Sequence, residues 1–452
     1  MVLGLPFEAD HFRYDTWNNH HPIAYTALVS LFVNAGASIG DLAFGVGLFT
    51  LFQMTVLACC AAYGVCWMRK RSGYALVGVA ALLFFALNPL IARYAVTLWK
   101  DVLFAGAMLC FCLCLFDLIA SKGLRLREKS FCLRFVLFSA AVFALRSNGF
   151  IVVAVSVLVA FLLCSRVRKQ AAILGFGSLV GLFVVQAIVL NAFSIAPAHF
   201  SESVALPLQQ IAKTVVDDGD ITEEQAAFID EIIPLEELES VYRPDTPNPI
   251  KFSPEFNDDF LESHKAEFLT LWIQLLPSNF GAYVSAWLHE TTGFWYTGLD
   301  SWLVTDPGYA VYSDEYEGAH SLLPASIANS SLLAGERPTQ IMAKLVPPLC
   351  NAASLVWFAV FVFPFTIGSR RGRTAAALTP LLTFWATYLL AAPIYNEFRY
   401  MFVFHFCVPF VMFCLLEGLW SRRREQSETD MLPEASEESV SQPPDTASCL
   451  LR

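Results

Sequence analysis

The sequence is short of charge. Of its 452 residues, 15% are Asp, Glu, Lys or Arg, against about 25% in an ordinary soluble domain. So few charges cannot cover the water-facing surface of a globular enzyme of this size, which excludes soluble Rossmann, barrel and sandwich proteins. Basic excess is lacking too. The formal net charge is −11, and Lys and Arg come in short clusters rather than a stripe, so nucleic acid is excluded as a partner. Cysteine is missing from residues 196–344, a stretch that therefore has no disulfide framework. No signal-peptide pattern opens the chain. Neither an internal repeat nor a pair of interrupted apolar segments points to a secondary transporter.

Apolar residues fill the space that charge leaves. They make up 56% of the chain, with 39 Phe and 10 Trp, and the mean hydropathy is +0.53. Uncharged or nearly uncharged runs cover 42–67, 74–92, 102–116, 131–145, 150–165, 171–198, 345–369, 374–396 and 400–416. Most are long enough to cross a hydrocarbon core of about 30 Å at 1.5 Å per residue. The weakest, 131–145, reaches across only if its flanking arginines snorkel. Most of the twelve cysteines lie inside these runs and read as small hydrophobes. Cys110, Cys112 and Cys114 have no His or second Cys pair nearby in sequence, so they read as helix filling rather than a metal site.

The sequence thus predicts an all-α polytopic membrane protein of about nine transmembrane helices. Its basic clusters, Arg69–Arg71, Lys122–Lys129, Arg166–Lys169, Arg370–Arg373 and Arg422–Arg424, then share one face, which the positive-inside rule makes cytoplasmic. Residues 196–344, with 24 acidic and six basic residues, become a mostly helical extracytoplasmic domain. Residues 1–40 form an outer first loop with an interfacial helix. Transmembrane helices occupy 41–195 and 345–420, and 421–452 is a disordered cytoplasmic tail rich in Ser, Glu and Pro. Because this arrangement leaves Met1 outside with no signal, a further transmembrane helix upstream of Met1 is expected.

With orientation set, four polar motifs fall on the outer face: Asn18-Asn19-His20-His21-Pro22, Trp99-Lys100-Asp101, Arg146-Ser147-Asn148-Gly149, and Glu397-Phe398-Arg399-Tyr400. Singly, each has a structural explanation. Long cations snorkel beside interfacial aromatics, paired histidines cap helices, and Asp101 or Glu397 neutralises its own neighbour. Together they place Lys100, Arg146 and Arg399 at headgroup level, where ionisable residues are costly and tend to mark sites. Arginine forks and a lysine point charge suit a phosphate.

The order of His20-His21-Pro22, Trp99-Lys100-Asp101, Arg146-x-Asn148-Gly149, Pro207-Leu208-Gln209-Gln210 and Glu397-x-Arg399-Tyr400 resembles an uncharacterised bacterial membrane family grouped with the GT-C glycosyltransferases. More distantly it resembles the protein O-mannosyltransferases. The likeness runs to about residue 416. It implies a GT-C-like fold and an inverting transferase that takes a sugar from a polyprenyl-phosphate donor to an extracytoplasmic acceptor in the cell envelope. It also implies a carboxylate base in the first outer loop. Asp10 and Asp15 are candidates for that base, with the usual aspartate expected upstream of Met1. Lys100, Arg146 and Arg399 are the candidate donor-phosphate ligands, supported by His20, His21, Asp101, Asn148, Gln209 and Glu397. A divalent cation is compatible with such a site, but nothing in the sequence requires one. A transporter or flippase of a lipid-linked glycan, or a non-catalytic GT-C-like remnant, remains the alternative. A transporter calls for ionisable residues deep within several spans, whereas here they gather at one face.

The orientation has a direct check. In a background lacking native thiols, cysteines placed near positions 230 and 320 should label from outside, and those near 70, 125 and 371 from the cytoplasm. Labelling of position 230 only after permeabilisation would contradict the arrangement.

Overall fold

The structure, a computed structural model, describes residues 17–164, 168–303, 336–367, 372–391 and 395–430. Among them there are helices and no strands, with isolated backbone bridges joining Asn18 to Ala196 and Trp302 to Glu397. The first helices are α1 (Ile23–Ser38), α2 (Leu42–Ser72), α3 (Ala75–Leu87), α4 (Pro89–Ala95), α5 (Lys100–Ala120), α6 (Lys129–Leu145), α7 (Gly149–Leu163) and α8 (Arg168–Ala192). The acidic domain follows with α9 (Ala205–Val216), α10 (Glu223–Ile232), α11 (Leu235–Val241), α12 (Asn248–Lys251), α13 (Asp258–Ser263), α14 (Lys265–Leu275) and α15 (Phe280–Thr291). The chain closes with α16 (Glu336–Leu345), α17 (Ala352–Ile367), α18 (Thr379–Leu390) and α19 (Phe398–Asp430). Local chemistry sets several ends. Asp41 caps α2 by accepting from the Phe44 amide, and Gly73 ends it in the left-handed region behind Arg69, Lys70 and Arg71, cations that suit a helix C-terminus. Thr222 and Gln225 form a capping box at the start of α10.

Among the described residues, four helices are long and apolar enough to cross a membrane: α2, α5, α8 and the Phe398–Trp420 part of α19. A fifth span exists if α3 and α4, which meet at a bend of 56°, are one broken crossing. The expected runs at 131–145, 150–165, 345–369 and 374–396 are also helical, but α6, α7, α17 and α18 have 17, 15, 16 and 12 residues. At 1.5 Å per residue the longest of these reaches about 26 Å, short of the 30 Å core. Length and composition therefore support four or five spans, where the sequence suggested nine.

The spans differ in what covers them. Within its most apolar window α5 is 94% buried, whereas α8 is 6% buried. A helix apolar on all sides and open along its length fits lipid, since water would leave a large apolar patch exposed. Helix α5 is the central post, packed against α2, α6 and α19. Helix α1 folds back on α2 as a hairpin over a small core of Tyr25, Val29, Val33, Phe49 and Leu103. Gly45 of α2 makes this approach possible, because a Cβ there would lie 2.6 Å from the Phe32 carbonyl oxygen.

The acidic domain has its own core, including Leu208, Ile211, Ile229, Leu238, Phe268, Leu271, Leu275 and Tyr283. The inner faces of α14 and α15 close this core, while Ile273 and Phe280 stay exposed on the other side. Phe294 is fully buried against Tyr388 of α18, and the Trp385 indole N–H donates to its carbonyl. The Phe294-Trp295-Tyr296 cluster therefore docks the acidic domain onto the helices. Arg71 lies over Phe116 near the far end of α5, and Arg125 pairs with Glu128 in the turn after that end. These two basic clusters thus share the end of the bundle opposite Lys100.

The α1–α2 contact yields a stability prediction. Gly45→Leu should cost about 1–3 kcal/mol by overpacking, read as a lower thermal midpoint in detergent. Gly177→Ala, where a Cβ meets nothing within 4 Å, should leave that midpoint unchanged.

Candidate functional site

The site is built where four chain segments meet at one end of α5. Arg146 lies in the turn between α6 and α7. Gly149 makes that turn possible, since a Cβ would fall 2.0 Å from the Val142 carbonyl oxygen. Asn148 steadies it by donating from Nδ2 to the Thr387 hydroxyl of α18 at 2.6 Å. The Arg146 guanidinium is buried and pairs with Asp101 in the first turn of α5, while its other terminal nitrogen donates to the Tyr388 hydroxyl. Around it stand Phe104 of α5, Phe384 and Tyr388 of α18, and Tyr400 of α19, with ring centroids 5.3–5.7 Å away. This aromatic cage adds cation–π attraction to the ion pair.

Next to this pair stand two more cations. Arg399 pairs with Glu397, donates to the Tyr400 hydroxyl at 3.2 Å, and lies over Trp99 at 5.1 Å. Burial raises the Glu397 carboxyl above its ordinary range against the opposing pull of Arg399. The Lys100 ammonium donates to His21 Nδ1 at 3.2 Å. Burial, then the Lys100 charge, pushes His21 down to about 3, so it is neutral. His20 is likewise lowered by burial, although Glu202 at 3.9 Å works against the shift. The other Glu202 oxygen pairs with Lys251 of the acidic domain at 2.7 Å. Among the described residues, no carboxylate lies within ion-pair distance of Lys100. Among the described residues, three cationic side chains, Lys100, Arg146 and Arg399, thus stand together with two ion-paired acids, Asp101 and Glu397.

An apolar groove of about 480 Å³ ends at the same place. Its walls come from α1, α6, α7 and α8, through residues such as Ala24, Ala27, Phe143, Phe150 and Phe183, while Asn19, Arg146 and Ser147 supply its polar end. A shape of this kind can hold an alkyl or isoprenoid chain with its anionic head at the cations. Among the described residues there is no group of three or more His, Cys, Asp or Glu that could hold a metal ion.

The chain matches the model of a family of unknown function, DUF6020, over residues 14–431. It belongs to that family. No curated protein and no solved structure matches it. The family assignment thus covers nearly the whole chain, including every segment that builds the site.

Most residues expected from the sequence do meet. Lys100, Asp101, Arg146, Asn148, Glu397, Arg399, His20 and His21 lie in the one assembly just described. Gln209 does not join it by a direct bond. It is buried in α9, and its amide donates to the Arg243 carbonyl at 2.8 Å. Asp10 and Asp15 lie outside the described residues. Sequence reading missed Tyr388, Glu202 and Lys251, which no motif marks and which reach the site only through tertiary packing. It also passed over His405, fully buried in α19. His405 donates from Nδ1 to the Leu349 carbonyl at 2.7 Å and accepts at Nε2 from Asn88, 2.9 Å away at the α3–α4 break. Its one available signal was a lone histidine inside an apolar run.

The Arg146–Asp101 pair predicts an asymmetry in stability. Asp101→Asn strands a buried guanidinium and should cost about 3–5 kcal/mol. Glu128→Gln, which breaks the exposed pair with Arg125, should cost about 1 kcal/mol or less. Thermal unfolding of both variants in one detergent gives the comparison.

Proposed function

We propose that this protein is a membrane glycosyltransferase of GT-C type that transfers a sugar from a polyprenyl-phosphate donor to an extracytoplasmic acceptor. The observation that carries the reading is a group of three cations, one of which, Arg146, lines the polar end of an apolar groove. A lipid phosphate supplies both halves of what that arrangement lacks, a negative charge for Lys100 and a chain for the groove. The resemblance of the ordered motifs to GT-C enzymes supports the same substrate class.

In this reading the donor phosphate lies between Lys100 and Arg399, with Arg146 closing the groove behind it. As the bond from the anomeric carbon to phosphate oxygen breaks, the electron pair stays on the phosphate. Fixed cations next to that oxygen lower the barrier, and such preorganised charge is often the largest single contribution to catalysis. Arg399 is held ready by Glu397 and Trp99, so little reorganisation is needed when the charge develops. The neutral His21 adds no like charge beside Lys100 while fixing its position. Nine crossings, with the shorter helices snorkelling or thinning the bilayer, would place this cluster at the extracytoplasmic headgroup level.

Transfer of labelled sugar from polyprenyl phosphate, in membranes containing the protein, tests the assignment. Lys100→Ala and Arg399→Ala should each lower the rate by one to two decades, since losing a hydrogen bond to a charged group costs about 1.5–3 kcal/mol. Arg399→Lys should also lower it, because an ammonium cannot reproduce the guanidinium fork. Arg127→Ala, at the opposite end of the bundle, should leave the rate in place. Wild-type transfer by both alanine variants refutes the assignment.

A further inference from the structure

Glu290 occupies a position that the phosphate site leaves unexplained. It is in the last turn of α15 and fully buried, and neither carboxylate oxygen has a hydrogen-bond partner among the described residues. Burying a carboxyl without a partner costs several kcal/mol, so such a group invites a functional account. Gln209 Oε1 and the Tyr242 hydroxyl are among the other buried polar atoms in that state.

The fold draws these atoms together. Gln210 of α9 donates to the Tyr283 carbonyl of α15, and Asn279 just before α15 accepts from the Asp220 amide beyond the end of α9. The two helices therefore run antiparallel, which carries Glu290 toward the N-terminal end of α9, while Gln209 of α9 donates to the Arg243 carbonyl next to Tyr242. Tyr242 feels the Glu290 charge, and Glu290 in turn feels Lys251. Lys251 is the residue bonded to Glu202, which approaches His20 beside Lys100. Three residues beyond Glu290, the Gly293 amide donates to Tyr395 at 2.9 Å, next to Glu397 in sequence. Glu290 thus sits on the acidic-domain side of the same seam that holds the cations.

We infer that Glu290 is the proton acceptor of the transfer, facing a hydroxyl-bearing acceptor held by Gln209 and Tyr242. This inference rests on the glycosyltransferase reading above. The acceptor oxygen forms its bond to the anomeric carbon as the bond to phosphate breaks. The leaving electron pair stays on the phosphate, and the hydroxyl proton passes to the Glu290 carboxylate. Carboxylate and cations then flank the sugar from opposite sides, as inversion requires.

Burial raises the Glu290 carboxyl to about 8, with Lys251 working the other way. Lys251 of α12 acts on it, it acts on Tyr242 after α11, and Asp217 of α9, paired with Lys213, acts on the same tyrosine. The base form therefore grows as pH rises, and the transfer rate should climb about tenfold per pH unit to near pH 8 and then level. The linkage to stability has the opposite direction. A carboxyl raised on folding favours the folded state below its ordinary range and loses that contribution as pH rises through 8.

The test uses the full chain in nanodiscs with a polyprenyl-phosphate sugar donor. Glu290→Gln should lower the transfer rate about 10²–10⁴-fold, flatten the pH profile, and leave donor KM in place. Its thermal midpoint should equal or exceed that of the wild type, with the gain largest above pH 8. Glu290→Asp should restore part of the rate and its pH dependence. Transfer by Glu290→Gln at the wild-type rate overturns the inference while leaving the donor reading intact. So does a loss of transfer accompanied by a lowered thermal midpoint and lost donor binding, which marks a structural role. An absence of transfer by the wild type from any polyprenyl donor removes the donor reading, and this inference with it.

Discussion

The Arg146–Asp101 pair is the constraint on which the site's geometry depends. A guanidinium buried among four aromatic rings is tolerable only while its carboxylate partner stays in place. The pair joins the first turn of α5 to the α6–α7 turn, and its rings and hydroxyl come from α5, α18 and α19. Five helices therefore cannot shift independently without exposing or stranding a charge. The neighbouring residues inherit that rigidity. Lys100 precedes Asp101 directly, Arg399 precedes Tyr400, and Asn148 ties the same turn to Thr387. These cationic side chains are positioned by a scaffold of buried charge rather than by loops.

This arrangement also separates two uses of cations that are alike in sequence. Arg146 is saturated by protein partners and holds the architecture together. Lys100 has a neutral imidazole beside it and, among the described residues, no carboxylate within ion-pair distance. Arg399 lies between these extremes, with Glu397 and Trp99 restraining it while part of the guanidinium stays open.

Much of the site was legible in the sequence because its charges stand out against an apolar background. In a chain where 15% of residues are charged, Lys100, Arg146 and Arg399 are conspicuous at the ends of long uncharged runs. Burying such residues needs compensation, which made Asp101 and Glu397 readable as partners. Helical character was legible for the same reason, since every apolar run formed a helix. Span number was not. Hydropathy marks where a run lacks charge, but a turn, a 3₁₀ segment or a capping Gly decides how much of that run becomes one straight helix. The expected run 374–396 shows the effect, breaking into a 3₁₀ turn over Gly372–Leu378 and the short α18. Glu202 and Lys251 were illegible for a different reason. Both lie in an acidic segment where a carboxylate or a lysine attracts no notice, and only tertiary packing pairs them beside His20.

Helix α8 carries a consequence of its own. It touches the bundle mainly through α6 and α7, has almost its whole flank uncovered, and forms one wall of the groove that ends at Arg146. A lipid can therefore approach the cations sideways from the bilayer, without first passing through water. For such a ligand the relevant concentration is its surface density in the leaflet, and the search for the site is two-dimensional. Occupancy would then follow the mole fraction of the lipid among its neighbours, so diluting the membrane with other lipids would empty the site even when the total amount of ligand in the sample is unchanged.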